Sequence, residues 1–310
     1  MQTYTVKTKE GAAIALFRKP AQEAPNAMRT PILYVHGANF PTRLSIGFPF
    51  DGFSGIDDLS HAGFDVWSLD FLGYGDSDRY PPTADQTTPK TCGRTADAVS
   101  QIETAADFIA QASGVGKISI VAHSWGTLPA GSYCGSHPER VERFVMFGPI
   151  ALREGTASAE PTPPQLFVTV PEQHARFTAD VPQGHPPVLA EANFPEWGER
   201  YLDSDPTSRM RVPHAVAVPS GPAADIRAAW SGLYPHDPGK VLVPTLIVRG
   251  EWDSLCNDAD ARWLFDALCA CPEKQDVKIS HATHLMHLER NRFALYEACR
   301  TFLARPCPDR

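Results

Sequence analysis

Residues 117–129, KISIVAHSWGTLP, decide how the rest of the chain is read. The segment 117–122 is a short run of β-branched and apolar residues bounded by Gly116, the composition of a buried strand. The run stops at His123-Ser124-Trp125-Gly126, after which the chain reads as helix up to His137. A strand entering a helix with no loop between them must turn sharply, and the residue at the apex takes a strained backbone that projects its side chain outward. That residue is Ser124.

The general form of such a nucleophile elbow is Gly-x-Ser-x-Gly, with small residues on either side because strand and helix nearly touch there. This chain has Ala122-His123-Ser124-Trp125-Gly126. Alanine in place of the first glycine adds one methyl group, which the turn is expected to tolerate. The competing reading of Ser124 is a simple cap for the following helix.

Working outward, 4–6 and 13–17 read as an opening hairpin around the turn signal Lys9-Glu10-Gly11. Residues 20–31 form a polar, proline-bearing loop. Strands are expected at 32–35, 65–69 and 141–147, with a short helix over 54–62 capped by Ser54. Residues 95–112 carry Ala98, Ile102, Ala105, Ala106 and Ile109 at helical spacing and end at Ser113-Gly114. Further on, strands are expected at 243–248 and 276–280 and helices at 258–269 and 290–303. Alternating strands and helices predict an α/β fold, a mostly parallel sheet flanked by helices with its sites at the carboxyl ends of the strands.

Residues 151–238 break this rhythm. They hold nearly half of the 29 prolines, with Phe167, Phe177, Phe194, Trp197, Tyr201, Trp230 and Tyr234 spread among them. So long a stretch in a compact enzyme reads as an inserted lid of short helices broken by proline; the alternative is a small separate domain with its own core. The expected organisation is a core of residues 1–150 and 239–310 with a cap over 151–238.

A chain of 310 residues with 43% hydrophobic and 21% charged residues can bury a large core. A net charge of -8 argues against nucleic acid as a partner, since such a chain repels phosphate. The first residues, MQTYTVKTKEG, lack the apolar core of a signal peptide, and no stretch approaches a membrane span. A cytoplasmic protein with a small-molecule substrate and no membrane partner is therefore expected, with its oligomeric state open. The 7 cysteines (Cys92, Cys134, Cys256, Cys269, Cys271, Cys299 and Cys307) show no metal-ligand spacing and read as reduced thiols. Cys256, just after Asp253, reads as a packing residue near the site.

In their order these residues resemble the α/β-hydrolase superfamily, in its cap-bearing serine hydrolase and esterase branch. His36-Gly37 follows the third strand, Asp70-x-x-Gly73-x-Gly75-x-Ser77 the fourth and Ser124 the fifth; Asp253 follows a late strand, and His284 precedes the last helix. The likeness covers 1–150 and 240–310. It implies a nucleophile Ser124, a base His284 with Glu289 five residues on, and an acid Asp253, in the chain order Ser, Asp, His. His281 lies too close to the strand end for that role, and His287 opens the helical region. Asp258 and Asp260 suit the N-terminus of the next helix. The resemblance further implies an oxyanion hole from the N–H groups of Ala38 and Trp125, with Asn39 and Phe40 beside the substrate. Asn39 reads equally as a plain turn residue, and His36 as a structural one.

A serine hydroxyl attacks a carbonyl only when a base takes its proton, and the base needs a carboxylate to orient its ring. The expected chemistry is hydrolysis of an ester, amide or lactone-like compound through an acyl-enzyme on Ser124, with neither metal nor organic cofactor. Serine at the nucleophile position argues against dehalogenases and epoxide hydrolases of the same family, which use a carboxylate. The run of glycines that follows His-Gly in proline iminopeptidases is missing, which weighs against peptidase activity. Two alternatives use the same pocket: an acyltransferase, or a ligand-binding protein on a hydrolase scaffold.

Overall fold

The structure, a computed structural model, describes residues 1–22, 30–80, 91–155 and 163–305. Cys307, and parts of the expected 20–31 loop and 151–238 insertion, lie outside the described residues. The first part of the chain runs β1 (Gln2–Lys7), β2 (Ala13–Lys19), β3 (Ile32–Val35), α1 (Gly55–His61), β4 (Val66–Asp70), α2 (Thr95–Ser113), β5 (Ile118–His123), α3 (Thr127–Ser136) and β6 (Val141–Phe147). An excursion follows with β7 (Gln165–Val168), α4 (Val170–Thr178), α5 (Phe194–Asp203), β8 (Val216–Pro219) and α6 (Gly221–Ala229). The chain then returns with β9 (Thr245–Gly250), α7 (Asp258–Ala267), β10 (Lys274–Ile279) and α8 (Arg292–Leu303).

Eight strands make one sheet in the order β1-β2-β4-β3-β5-β6-β9-β10. The β1–β2 hairpin sits at one edge, and β2 runs antiparallel to β4. Every other pairing in the sheet is parallel. Because side chains alternate along a strand, each strand feeds two cores. Leu33, Val35, Ile120, Ala122, Phe144 and Met146 join a cluster with Ile102 and Ile109 of α2 and Leu128 of α3. Ile32, Tyr34, Val121, Val145 and Phe147 join the other, with Leu59 of α1 and Leu295 and Phe302 of α8. All six residues of β5 are buried, as the strand in the middle of the sheet requires.

Element ends follow local chemistry. Ser54 caps α1 in a reciprocal capping box with Asp57. The strand expected over 243–248 instead begins at Thr245. Pro244 has no N–H to give the ladder, although its carbonyl accepts from Phe144 N at 2.9 Å. No helix among the described residues is long and apolar enough to cross a membrane.

In the inserted stretch the prolines start helices rather than break them. Pro171, Pro195 and Pro222 lie in the first turns of α4, α5 and α6, where the missing N–H costs nothing. The stretch also contains a two-stranded antiparallel sheet, β7 with β8, that the sequence reading does not foresee. Its strands are four residues each and nearly fifty apart, too short for alternation to show.

Candidate active site

β5 passes into a single 3-10 turn, Ser124–Gly126, before α3 begins. Ser124 has φ 53°, the left-handed region that a non-glycine residue occupies at a cost of about 1–3 kcal/mol. The tightness of the turn is measurable at Gly126, where a Cβ would lie 2.4 Å from the His36 carbonyl oxygen. Ser124 itself is only 6% exposed. The outward projection expected from the turn holds for the backbone, but the side chain does not reach bulk solvent, because the loops after β3 and β10 close around it.

His284 Nε2 lies 2.8 Å from Ser124 Oγ, and His284 Nδ1 lies 3.0 and 3.1 Å from the two oxygens of Asp253. Asp253 is fixed in turn, since its Oδ1 accepts from the N–H groups of Leu255 at 2.9 Å and Cys256 at 3.0 Å. The three side chains are brought together from loops that follow β5, β9 and β10, all at the carboxyl edge of the sheet. Cys256 is fully buried and contributes its backbone; burial and nearby Asp253 push its thiol well above the ordinary range.

Gly148, directly after β6, is a residue of this site that the sequence reading does not single out as one. It has φ 54°, and a Cβ there would stand 3.0 Å from the His284 ring and 3.3 Å from Asp253 Oδ2. Glu289 is fully buried and accepts from Thr283 N at 3.2 Å and from the Thr283 hydroxyl, bracing the residue before His284. Burial pushes its carboxyl up to about 7, against the bonds from Thr283.

The other histidines have packing positions. His123 stacks on Phe147 at 4.4 Å, meets His287 edge-on, and puts Nε2 3.2 Å from the His284 carbonyl. Burial lowers both, His287 to about 3, so they stay neutral. His36 bonds the Gly37 carbonyl at 2.7 Å and accepts from Phe71 N. His281 is exposed, with its N–H on Glu251. Asp260 closes a capping box with Asn257 at the start of α7, and Asp258 pairs with Arg249 and Lys278.

Beside Ser124 runs the loop after β3. A Cβ on Gly37 would fall 2.9 Å from Ser124 Cβ, so this loop passes in contact with the serine. The Ala38 N–H has no acceptor among the described residues. Asn39 has φ 74°, a turn conformation that asparagine tolerates. Phe40, expected beside the substrate, is 2% exposed and takes Phe177 and Trp197 edge-on at 5.7 and 5.5 Å, which makes it the seat of the inserted segment. The Trp197 indole donates to the Leu44 carbonyl at 2.8 Å.

Trp125 is anchored the same way from α6: its indole N–H donates to Asp225 at 3.0 Å. Asp225 also accepts from Thr95 N and Oγ1, both at 2.7 Å, and from Arg94. Asp70, after β4, is buried and accepts from Thr42 N at 2.9 Å; burial pushes its carboxyl up to about 7. The role of Asp225 is not readable from the sequence, since its partners lie far away along the chain; Asp70 bonds both Thr42 and, six residues on, Asp76 N at 3.3 Å.

A family model described as alpha/beta hydrolase fold matches residues 30–291. A proline iminopeptidase of Neisseria meningitidis serogroup A is 25% identical over 251 residues, spanning 71% of this chain and 74% of that protein. Among solved structures, the esterase EaEST of Exiguobacterium antarcticum superposes with a TM-score of 0.63 at 17% identity, over 98% of this chain and 100% of its own. The enol-lactonase of Burkholderia xenovorans LB400 superposes with a TM-score of 0.62, also at 17% identity, over 97% of this chain and 100% of its own.

Proposed function

This chain belongs to the α/β-hydrolase family and is a hydrolase, and from that premise we propose that it cleaves an ester, amide or lactone-like small molecule through an acyl-enzyme on Ser124. The observation that carries this reading is the unbroken relay from Ser124 Oγ through the His284 ring to Asp253, at 2.8 and 3.0 Å. Ser124 Oγ attacks the substrate carbonyl carbon while His284 Nε2 takes the hydroxyl proton. Asp253 holds the ring with Nδ1–H toward itself and stabilises the imidazolium that forms.

Negative charge on the carbonyl oxygen is met by the N–H groups of Ala38 and Trp125, each such donor contributing about 3 kcal/mol to the transition state. His284 then protonates the leaving group, and a water activated by the same ring releases the acid. Residues 151–238 act as a cap, and the aromatic set around Phe40, Phe177 and Trp197 gives it an apolar seat over the oxyanion loop.

The decisive experiment is Ser124→Ala assayed on a panel of p-nitrophenyl esters alongside labelling by a fluorophosphonate. Turnover should fall by about 10⁶-fold and labelling should vanish. Wild-type rates in the variant would overturn the assignment of the nucleophile.

A further inference from the structure

The elbow pattern prescribes small residues at 122 and 126 and leaves position 123 open, so a histidine there needs a reason of its own. His123 is the last residue of β5, in register with Phe147 at the end of β6, and the two rings stack at 4.4 Å and 15°. The same ring meets His287 edge-on at 4.4 Å and stands 5.0 Å from the His284 ring. A phenylalanine at 123 would serve these packing contacts as well.

What a hydrocarbon ring could not supply is a donor. His123 Nε2 lies 3.2 Å from the His284 carbonyl oxygen. A carbonyl only accepts, so the proton of the neutral ring sits on Nε2 and Nδ1 is left bare. Nδ1 is buried without a hydrogen-bond partner, so this single bond accounts for the polar character of the ring. His284 is 2% exposed, and among the described residues no other donor reaches its carbonyl. A buried carbonyl left unpaired is costly, which makes the His123 bond one the fold depends on.

The base therefore has three supports of different kinds. Asp253 orients its ring through Nδ1, and Glu289 braces Thr283, the residue before it. His123 grips the backbone of His284 itself, and it is the covalent neighbour of Ser124. One residue thus joins the turn of the nucleophile to the base by a route that does not pass through Asp253. The contact at stake, Ser124 Oγ to His284 Nε2, spans 2.8 Å. A misplacement of about 1 Å in such a contact costs about a hundredfold in rate.

We propose that His123 is a positioning residue, whose Nε2–H holds the His284 carbonyl and so sets the reach of the imidazole to Ser124 Oγ. The inference rests on the serine-hydrolase reading and adds to it a second route by which the base is placed. His123 takes no part in the proton path, since its N–H stays on the carbonyl throughout.

The test is a crossed pair of variants. His123→Phe keeps the stack on Phe147 and loses the bond, whereas His123→Gln loses the stack and keeps a donor at the reach of Nε2. Both are compared with the wild type and Ser124→Ala on the p-nitrophenyl ester that the wild type turns over fastest, alongside melting curves. In His123→Phe kcat should fall about ten- to a hundredfold with KM within about twofold, and in His123→Gln it should return to within about threefold of the wild type. Melting temperatures should run in the opposite order, His123→Phe above His123→Gln. His123→Asn carries the same amide on a stem too short to reach the carbonyl, so its kcat should match that of His123→Phe and decides the question if the phenylalanine variant does not fold. Wild-type kcat in His123→Phe, kcat that follows the melting temperature, or a glutamine variant no faster than the asparagine one overturns the positioning role while leaving the hydrolase reading intact. Absence of Ser124-dependent turnover in the wild type overturns both.

Discussion

The strand ends of the core and the inserted segment solve different problems with different means. At the strand ends, Ser124, Asp253 and His284 are each held by short-range backbone geometry: a 3-10 turn, a loop whose N–H groups grip a carboxylate, and a loop braced by Thr283 and Glu289. The insertion is held by contacts that reach across the chain, such as Trp197 to Leu44 and Asp225 to Trp125. The comparison teaches that the geometry for chemistry is set locally and the enclosure is set by packing. Changes to Ser124, Asp253 or His284, or to the His123 bond that holds it, should therefore alter rate, and changes to the other buried groups that brace them or to the insertion should alter stability or selectivity.

Asp253→Asn is the hardest test on the strand-end side. It leaves the shape of the site intact but reverses the hydrogen bond that sets the His284 tautomer, so kcat should drop by about 10⁴-fold with little change in melting temperature. A loss below tenfold would mean that the carboxylate is only structural.

Glu289→Gln separates bracing from charge. Because burial raises the folded-state carboxyl from 4.5 to about 7, the protonated form is the one the fold favours. Its contribution is complete below the unfolded value and is lost as pH rises through about 7. Glutamine cannot ionise, so near pH 8 the variant should be more stable than the wild type by about 3 kcal/mol, and the advantage should vanish toward pH 4.5. Melting curves at intervals across that range read it directly. Asp70 shifts in the same direction and leaves a residual slope in both proteins. A stability difference independent of pH would show that Glu289 is ionised in the fold.

Trp197→Phe probes the insertion and should have the smallest effect. It removes the bond to the Leu44 carbonyl and keeps an aromatic ring against Phe40, a change of about 1 kcal/mol in stability. Steady-state kinetics should show an altered KM with kcat within about twofold. A collapse of kcat would erase the division of labour between the two regions.

The same division explains what the sequence discloses. Ser124 and Asp253 are legible because each follows an apolar strand within a few residues, a local pattern, whereas β10 (KQDVKI) is mostly polar and His284 is legible through the family pattern of a histidine with Glu289 five residues on. Strand limits are legible to within a residue or two, and the late start of β9 is a local effect of Pro244. Gly148 is not legible as a site residue, because its need for a bare Cα comes from His284, which arrives from the other end of the chain. The β7–β8 pair and the seating of Phe40 under the insertion are hidden for the same reason. The burial of Ser124 is hidden too, since a turn prescribes the direction of a side chain but not what covers it.

Asp225 bears on how molecules come and go. One carboxylate riveting α6 to Trp125, Thr95 and Arg94 means that α6 cannot lift away without stranding donors on the side of the elbow. Traffic should then pass on the α4–α5 flank, where the links to the core are aromatic faces, the Trp197 indole bond and bonds at the two ends of α5, Asn193 to Asp51 and Arg79 to the Ser204 carbonyl. Amide exchange should accordingly run faster across 170–178 than across 221–229, and the reverse order would place the doorway at the riveted end.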